Sequence, residues 1–193
     1  DGSPPATSEE SPPRFEAEWR TALSSAVVAG DTSAPIKVVV VSDPECPACR
    51  YFAGVIDQVR AERRDFAVYT LHIALPQHRF APRAIRAIEC ARRDAAEVRM
   101  LSALFAAQDS LGLKEWESFA RDAGVSRLTE WNACLLGSES LPAIESSKEF
   151  VERIEVRSTP TVLINGWRIN RAPSVAEFRR LLTEIARDGR PTS

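Results

Sequence analysis

Ile36-Lys37-Val38-Val39-Val40-Val41-Ser42-Asp43-Pro44-Glu45-Cys46-Pro47-Ala48-Cys49 is the stretch on which the fold turns. Residues 36–41 are a β-branched apolar run of the kind a buried parallel strand needs. Ser42 to Glu45 break it with a proline. From 46 to 63 the residues Tyr51, Phe52, Val55, Ile56 and Val59 recur at helical spacing with Arg and Glu opposite, which predicts a helix. Cys46 then stands at a helix N-terminus, where unpaired backbone N–H groups and the helix dipole favour an anion. Thiol pKa values at such positions fall to roughly 3.5–7.5. Pro47 suits the opening turn, since its missing N–H would have been unpaired anyway. Cys49 lies one turn behind, within reach of the first sulfur. Two cysteines so placed read as a dithiol/disulfide redox centre.

Two blander readings of the pair compete with this one. A zinc site of this type needs a second cysteine pair or a histidine pair. Here Cys90 and Cys134 stand far apart and the only histidines are His72 and His78, so no metal site is expected. A purely structural disulfide across two residues closes too little chain entropy to stabilise much. The strand–CxxC–helix setting favours redox chemistry.

The 193 residues suffice for one good core with an inserted subdomain. Hydrophobic content of 44% and charged content of 27% are those of an ordinary globular protein. A net charge of −2 gives no argument for nucleic acid or a membrane surface. No apolar run approaches the roughly 18–20 residues a membrane helix needs. The first residues are rich in Pro, Ser and acid with almost nothing to bury, so residues 1–14 are expected to form a flexible tether. The chain starts at Asp1 without a Met, as a mature or trimmed form would, and a signal peptide or membrane anchor removed from it would leave no trace here.

Along the chain, Phe15, Trp19, Ala22, Leu23, Ala26 and Val27 are spaced as one helical face ending near Gly30. The strand at 36–42 and the CxxC helix follow, then a second strand, Phe66–Ile73. This is a βαβ unit, so the two strands should be parallel. From Pro82 to about Arg153 the periodicity is helical throughout, in four or five short stripes separated by breaks such as Asp109-Ser110-Leu111-Gly112. Thr161–Ile164 and Trp167–Ile169 flank Asn165-Gly166, a strong signal for a two-residue hairpin turn. Ser174 with Glu177 makes a capping box for a final amphipathic helix closed by Gly189. The predicted order is α-β-α-β, a helical insert, then β-β-α.

Cys46-Pro47-Ala48-Cys49 behind its strand, with Ser158-Thr159-Pro160-Thr161 leading into the last hairpin, resembles the thioredoxin superfamily. The helical insert resembles its DsbA-like branch of extracytoplasmic disulfide oxidoreductases. The expected fold is therefore α/β, a thioredoxin core over 15–80 and 154–190 with an all-helical subdomain at 81–153. By itself Pro160 is as readily a trans proline opening an edge strand. The resemblance implies a cis proline facing the sulfurs, with Thr159 as a free backbone edge for a substrate strand and Pro47 and Ala48 beside it. It also implies an oxidising compartment. In one, an even cysteine count favours a second, structural disulfide between Cys90 and Cys134 over two buried thiols.

The implied activity is thiol:disulfide exchange that introduces disulfides into reduced exported proteins. Cys46 would be the exposed, nucleophilic and acidic thiol, and Cys49 its shielded partner. The cofactor is none beyond the Cys46–Cys49 disulfide itself. Reoxidation would fall to a membrane quinone-linked partner of the DsbB or vitamin-K-epoxide-reductase (VKOR) type. A monomer is expected, with no nucleic acid. The alternatives are an isomerase or reductase of the same fold and a non-catalytic binding or chaperone module. Three departures from the family pattern bear on strength: Ala48 replaces the His of the most oxidising members, Glu45 precedes the motif, and Val40 stands where many relatives bury an acid.

Overall fold

In the computed structural model, which describes residues 13–192, the β-branched run becomes β3 (Ile36–Ser42), an inner strand of a six-stranded sheet. It pairs in parallel with β4 (Phe66–His72), in register from Ile36↔Phe66 to Ser42↔His72, and antiparallel with β5 (Thr161–Ile164). The sheet order is β1-β6-β5-β3-β4-β2, where β1 is Arg14–Phe15, β2 Val27–Ala29 and β6 Trp167–Ile169. Because side chains alternate across a strand, β3 feeds two separate cores. Val38 and Val40 face α1 (Pro47–Glu62) and α7 (Val175–Asp188), meeting Phe52, Val55, Val59, Phe178 and Leu182. Val39 and Val41 face the other way, onto Trp19, Leu71, Phe150 and Leu163. Phe178 sets its ring edge-on to both Phe52 and Phe66, closing the α7 side.

The chain between β4 and β5 holds α2 (Ala81–Cys90), α3 (Glu97–Ala106), α4 (Trp116–Asp122), α5 (Leu128–Leu136) and α6 (Pro142–Arg153). The first four share a core of their own around Ile88, Met100, Leu104, Phe119 and Trp131. The last helix behaves differently: Phe150 and Val151 of α6, with Ile154 after it, lie on the sheet with Val39 and Val41. The insert is continuous in sequence, yet its final helix covers the sheet face opposite α1 and α7.

The N-terminal segment departs from expectation. The helix predicted over 15–27 is instead β1, a six-residue 3-10 helix at Trp19–Ser24, and β2, which pairs antiparallel with the edge of β4 from Val27↔Thr70 to Ala29↔Val68. Trp19 and Ala22 keep the buried stripe, because a 3-10 turn also brings residues three apart to one side. The β-branched Val27-Val28 go to the strand the sheet edge offers, a tertiary choice that periodicity does not register. The tether expected over residues 1–14 lies, through residue 12, outside the described residues, and Arg14 is already paired with Arg168 in β1–β6. At the hairpin, Asn165 and Gly166 have φ of 45° and 93°, so both central residues of the turn are left-handed. Ser174 accepts the Glu177 N–H at 3.2 Å and caps α7. Among the described residues no helix is long and apolar enough to cross a membrane.

Candidate active site

At the C-terminal end of β3, Cys46 adopts extended backbone angles as the N-cap of α1, with Pro47 opening the helix. Its carbonyl accepts the N–H groups of Cys49 at 3.1 Å and Arg50 at 3.2 Å, which is the first turn of α1 closing. Both cysteines are free thiols. The Cys46 thiol donates to the Thr159 carbonyl at 3.5 Å, and the Thr159–Pro160 peptide is cis. Residues 113 positions apart are thus brought together by the β3–β5 pairing, which carries the start of β5 up to the start of α1. Pro47 and Ala48 are exposed at the rim of this junction.

Cys46 is less open than its expected role suggests: it is 7% exposed against 3% for Cys49. Phe105 and Leu101 of α3 pack on the two sulfurs, so the insert forms a wall of the site. Cys49 has its thiol pushed up to about 12, chiefly by desolvation and additionally by the neighbouring Cys46. The Asp43 N–H, 3.4 Å from its sulfur, and the hydroxyls of Ser42 and Thr159 favour the charged form, but not enough to offset burial. The Thr159 hydroxyl oxygen is buried and makes no other hydrogen bond. Val40, in place of a buried acid, is 5% exposed among apolar neighbours on the α1–α7 side.

Three polar side chains around the motif have roles that its sequence did not reveal. Asp43 is completely buried; one carboxylate oxygen accepts the Glu45 N–H at 2.8 Å, and the other the Leu75 N–H at 2.7 Å with His78 Nδ1 2.8 Å away. A buried carboxylate must be paired in this way, and the pairing ties the loop before Cys46 to the loop after β4. Glu45 does not point at Cys46. Its carboxylate accepts the N–H groups of Phe80 at 2.6 Å and Ala81 at 2.9 Å, at the N-terminus of α2. There the helix dipole offsets its charge, and the carboxylate is directed away from Cys46. Gln108, 6% exposed, donates from Nε2 to the carbonyls of Pro44 at 2.9 Å and Cys46 at 3.1 Å. Asp43 and Glu45 were visible as the two acids before the motif. Gln108 carried no signal, because its contacts span more than sixty residues of sequence.

Cys90 and Cys134 lie away from this site, joined as a disulfide with Cα atoms 5.8 Å apart that links α2 to α5. Among the described residues no group of three or more His, Cys, Asp or Glu is placed to hold a metal ion.

A CxxC at the mouth of a helix, opposed by a cis proline on an adjacent strand of a mixed sheet, defines a thioredoxin-fold protein, here with a helical insert. Over residues 23–184 the chain matches the thioredoxin family and belongs to it. In structure it is similar to the catalytic domain of Proteus mirabilis ScsC (TM-score 0.72, 19% identity, 87% of this chain and 94% of that one). It is also similar to Wolbachia pipientis alpha-DsbA1 (TM-score 0.69, 17% identity, 84% and 91% covered). Among curated proteins it matches the Na(+)/H(+) antiporter NhaA 1 of Mycolicibacterium gilvum, 31% identical over 145 residues, 73% of this chain. The chain spans about a quarter of the length of that relative, 23%.

Proposed function

We propose that this protein is an extracytoplasmic thiol:disulfide oxidoreductase that donates the Cys46–Cys49 disulfide to reduced exported proteins. A substrate thiolate attacks Cys46, the Cys46–Cys49 bond breaks, and Cys49 leaves and takes up a proton. A second substrate thiolate then attacks the substrate sulfur of the mixed disulfide, forming the substrate disulfide and releasing Cys46 as a thiolate. The substrate loses two electrons and two protons; the pair gains two electrons. The observation that carries this reading is the asymmetry of the pair. Cys46 faces the Thr159 carbonyl at the rim, while Cys49 is held as a thiol, at about 12, behind it. A resolving cysteine so reluctant to ionise returns slowly to the mixed disulfide, leaving time for the second substrate thiol. The Thr159 backbone offers a free edge with which an extended substrate segment would pair. The Cys90–Cys134 bridge suits an oxidising compartment. Electrons would leave through a membrane quinone-linked partner of the DsbB or VKOR type.

An isomerase or reductase role is the second reading, favoured by one observation. No imidazole stands at position 48, and the Arg50 guanidinium is directed to Asp109 at 2.9 Å, not to Cys46. One experiment addresses both. Oxidised protein is mixed with reduced, unfolded ribonuclease, and thiols are counted on each. Transfer of one disulfide per molecule supports the oxidase; Cys49→Ala mixed with scrambled ribonuclease, whose disulfides its Cys46 thiolate can attack with release of a ribonuclease thiolate, should accumulate the mixed disulfide. Faster rescue of scrambled than of reduced ribonuclease would support the isomerase. Failure of both, with binding intact, would leave a non-catalytic module.

A further inference from the structure

We propose that Gln108 is a positioning residue through which the helical insert sets the reactivity of Cys46. It rests on the proposed exchange reaction at that cysteine. Gln108 follows α3, outside the thioredoxin core, yet both hydrogens of its buried amide are spent on the loop that carries the nucleophile. One goes to the carbonyl of Pro44, two residues before it, and the other to the carbonyl of Cys46 itself. That second carbonyl already accepts the N–H groups of Cys49 and Arg50, so the amide is a third donor on one oxygen.

The physical consequence follows from charge. The Cys46 carbonyl oxygen, the negative end of its dipole, is separated from Sγ by only three carbons of the same residue. A donor on that oxygen draws the negative end away and eases the build-up of charge on sulfur as the thiol reacts. The same two bonds hold the loop in one place against the wall formed by Phe105 and Leu101, which precede Gln108 on the same segment. The neighbouring Asp109 makes a different kind of link. Its carboxylate is 87% exposed and pairs with Arg50, a surface ion pair that contributes little. Of these two neighbours, the hold on the Cys46 backbone is therefore assigned to Gln108.

Two substitutions separate position from mere stability. Gln108→Leu keeps the bulk and removes both donors. Gln108→Glu keeps the shape and replaces donors with a carboxylate facing two carbonyl oxygens, a repulsion that protonation of the glutamate relieves by restoring one donor. Asp109→Ala is the control. For each, the rate of Cys46 alkylation by iodoacetamide is followed from pH 5 to 9, with the equilibrium against glutathione and the melting temperature. The expected result is a fall of about fivefold in alkylation rate for Gln108→Leu, the scale of one lost buried hydrogen bond. Its glutathione equilibrium should shift toward the oxidised form. Gln108→Glu should show a larger fall at neutral pH that narrows toward pH 5, and Asp109→Ala no change. Rates and equilibria of both Gln108 variants within twofold of the wild type, whatever their melting temperatures, would overturn the proposal. So would an equal effect in Asp109→Ala. Alkylation needs no protein substrate, so a wild type that alkylates normally but oxidises no ribonuclease would count against the proposed function and not against this role.

Discussion

Single residues in this protein differ by what surrounds them, not by type. Cys46 and Cys49 are both buried thiols, but Cys46 faces the Thr159 carbonyl beside exposed Pro47 and Ala48, while Cys49 lies behind it and is driven up to about 12 by desolvation. Iodoacetamide at pH 8 should therefore label Cys46 first in the reduced protein, with Cys49 lagging by at least about tenfold. Mass spectrometry of the peptides reads the order, and equal labelling would refute the division of roles. Position 48 offers a second lever. In Ala48→His an imidazolium near Cys46 would stabilise the thiolate of the reduced form, so the pair should become a stronger oxidant. An unchanged glutathione equilibrium would show that the dipeptide does not control potential. His72 gives a pH signature. At the end of β4 it is fully enclosed, its Nε2 has no partner, and burial with the nearby Arg92 lowers its pKa to about 3. Unfolded, it binds a proton near 6.5, so the unfolded state holds more protons between the two values. Its neutral form is accommodated in full above about pH 6.5, and stability is lost as the pH falls from there toward 3. At pH 5 the loss from this one group is about 2 kcal/mol. His72→Phe should flatten that limb in urea titrations compared at pH 7 and pH 5; an unchanged slope would show that His72 is protonated in the fold.

Elements are held to one another by a few specific ties. The Cys90–Cys134 disulfide joins α2 and α5 across 44 residues. In the chain-entropy picture a loop of that length stabilises by about 4 kcal/mol, an upper figure. Replacing both by Ala should lower the melting temperature by several degrees while Cys46–Cys49 exchange with glutathione continues at close to its original rate. Loss of exchange in a folded variant would mean that the bridge shapes the site. The β5–β6 turn is another such tie. A Cβ on Gly166 would come within 2.5 Å of the Trp19 ring and would also sit at a φ of 93°, where side chains are strained. Gly166→Ala is expected to destabilise by more than about 1 kcal/mol in chemical denaturation.

At the scale of the whole molecule, the sheet supplies a rigid edge and the insert supplies a wall. The α/β core alone would leave the sulfurs open on the α3 side; Phe105 and Leu101 close it. Four large apolar side chains are notably exposed among the described residues: Phe15, Tyr51, Leu113 and Leu136. They lie far apart in the chain, at the N-terminal strand, on α1, after α3 and at the end of α5. Single exposed apolar side chains are ordinary on the surface of a monomer. A monomer of 21.3 kDa is expected by light scattering at tens of micromolar, and a dimer there would overturn it.

Local order decided much of this protein. Ile36–Val41 are a strand and residues 47–62 a helix because β-branched runs and amphipathic stripes carry their own preference, and Asn165-Gly166 turns because both residues tolerate positive φ. Cys46 at the mouth of α1 follows from those two elements alone. The parallel pairing of β3 with β4 is equally local, a consequence of the helix that joins them. Tertiary structure decided the rest. Val27-Val28 became an edge strand because β4 had an unpaired side, and Phe150 of α6 left the insert to cover the sheet. Glu45 turned away from the cysteine because the N-terminus of α2 lay within reach. Above all, the amide of Gln108 met the carbonyl of Cys46 from sixty-two residues away. No pattern in a sequence marks such a contact, since a buried polar group finds its partner wherever the packed chain happens to place one.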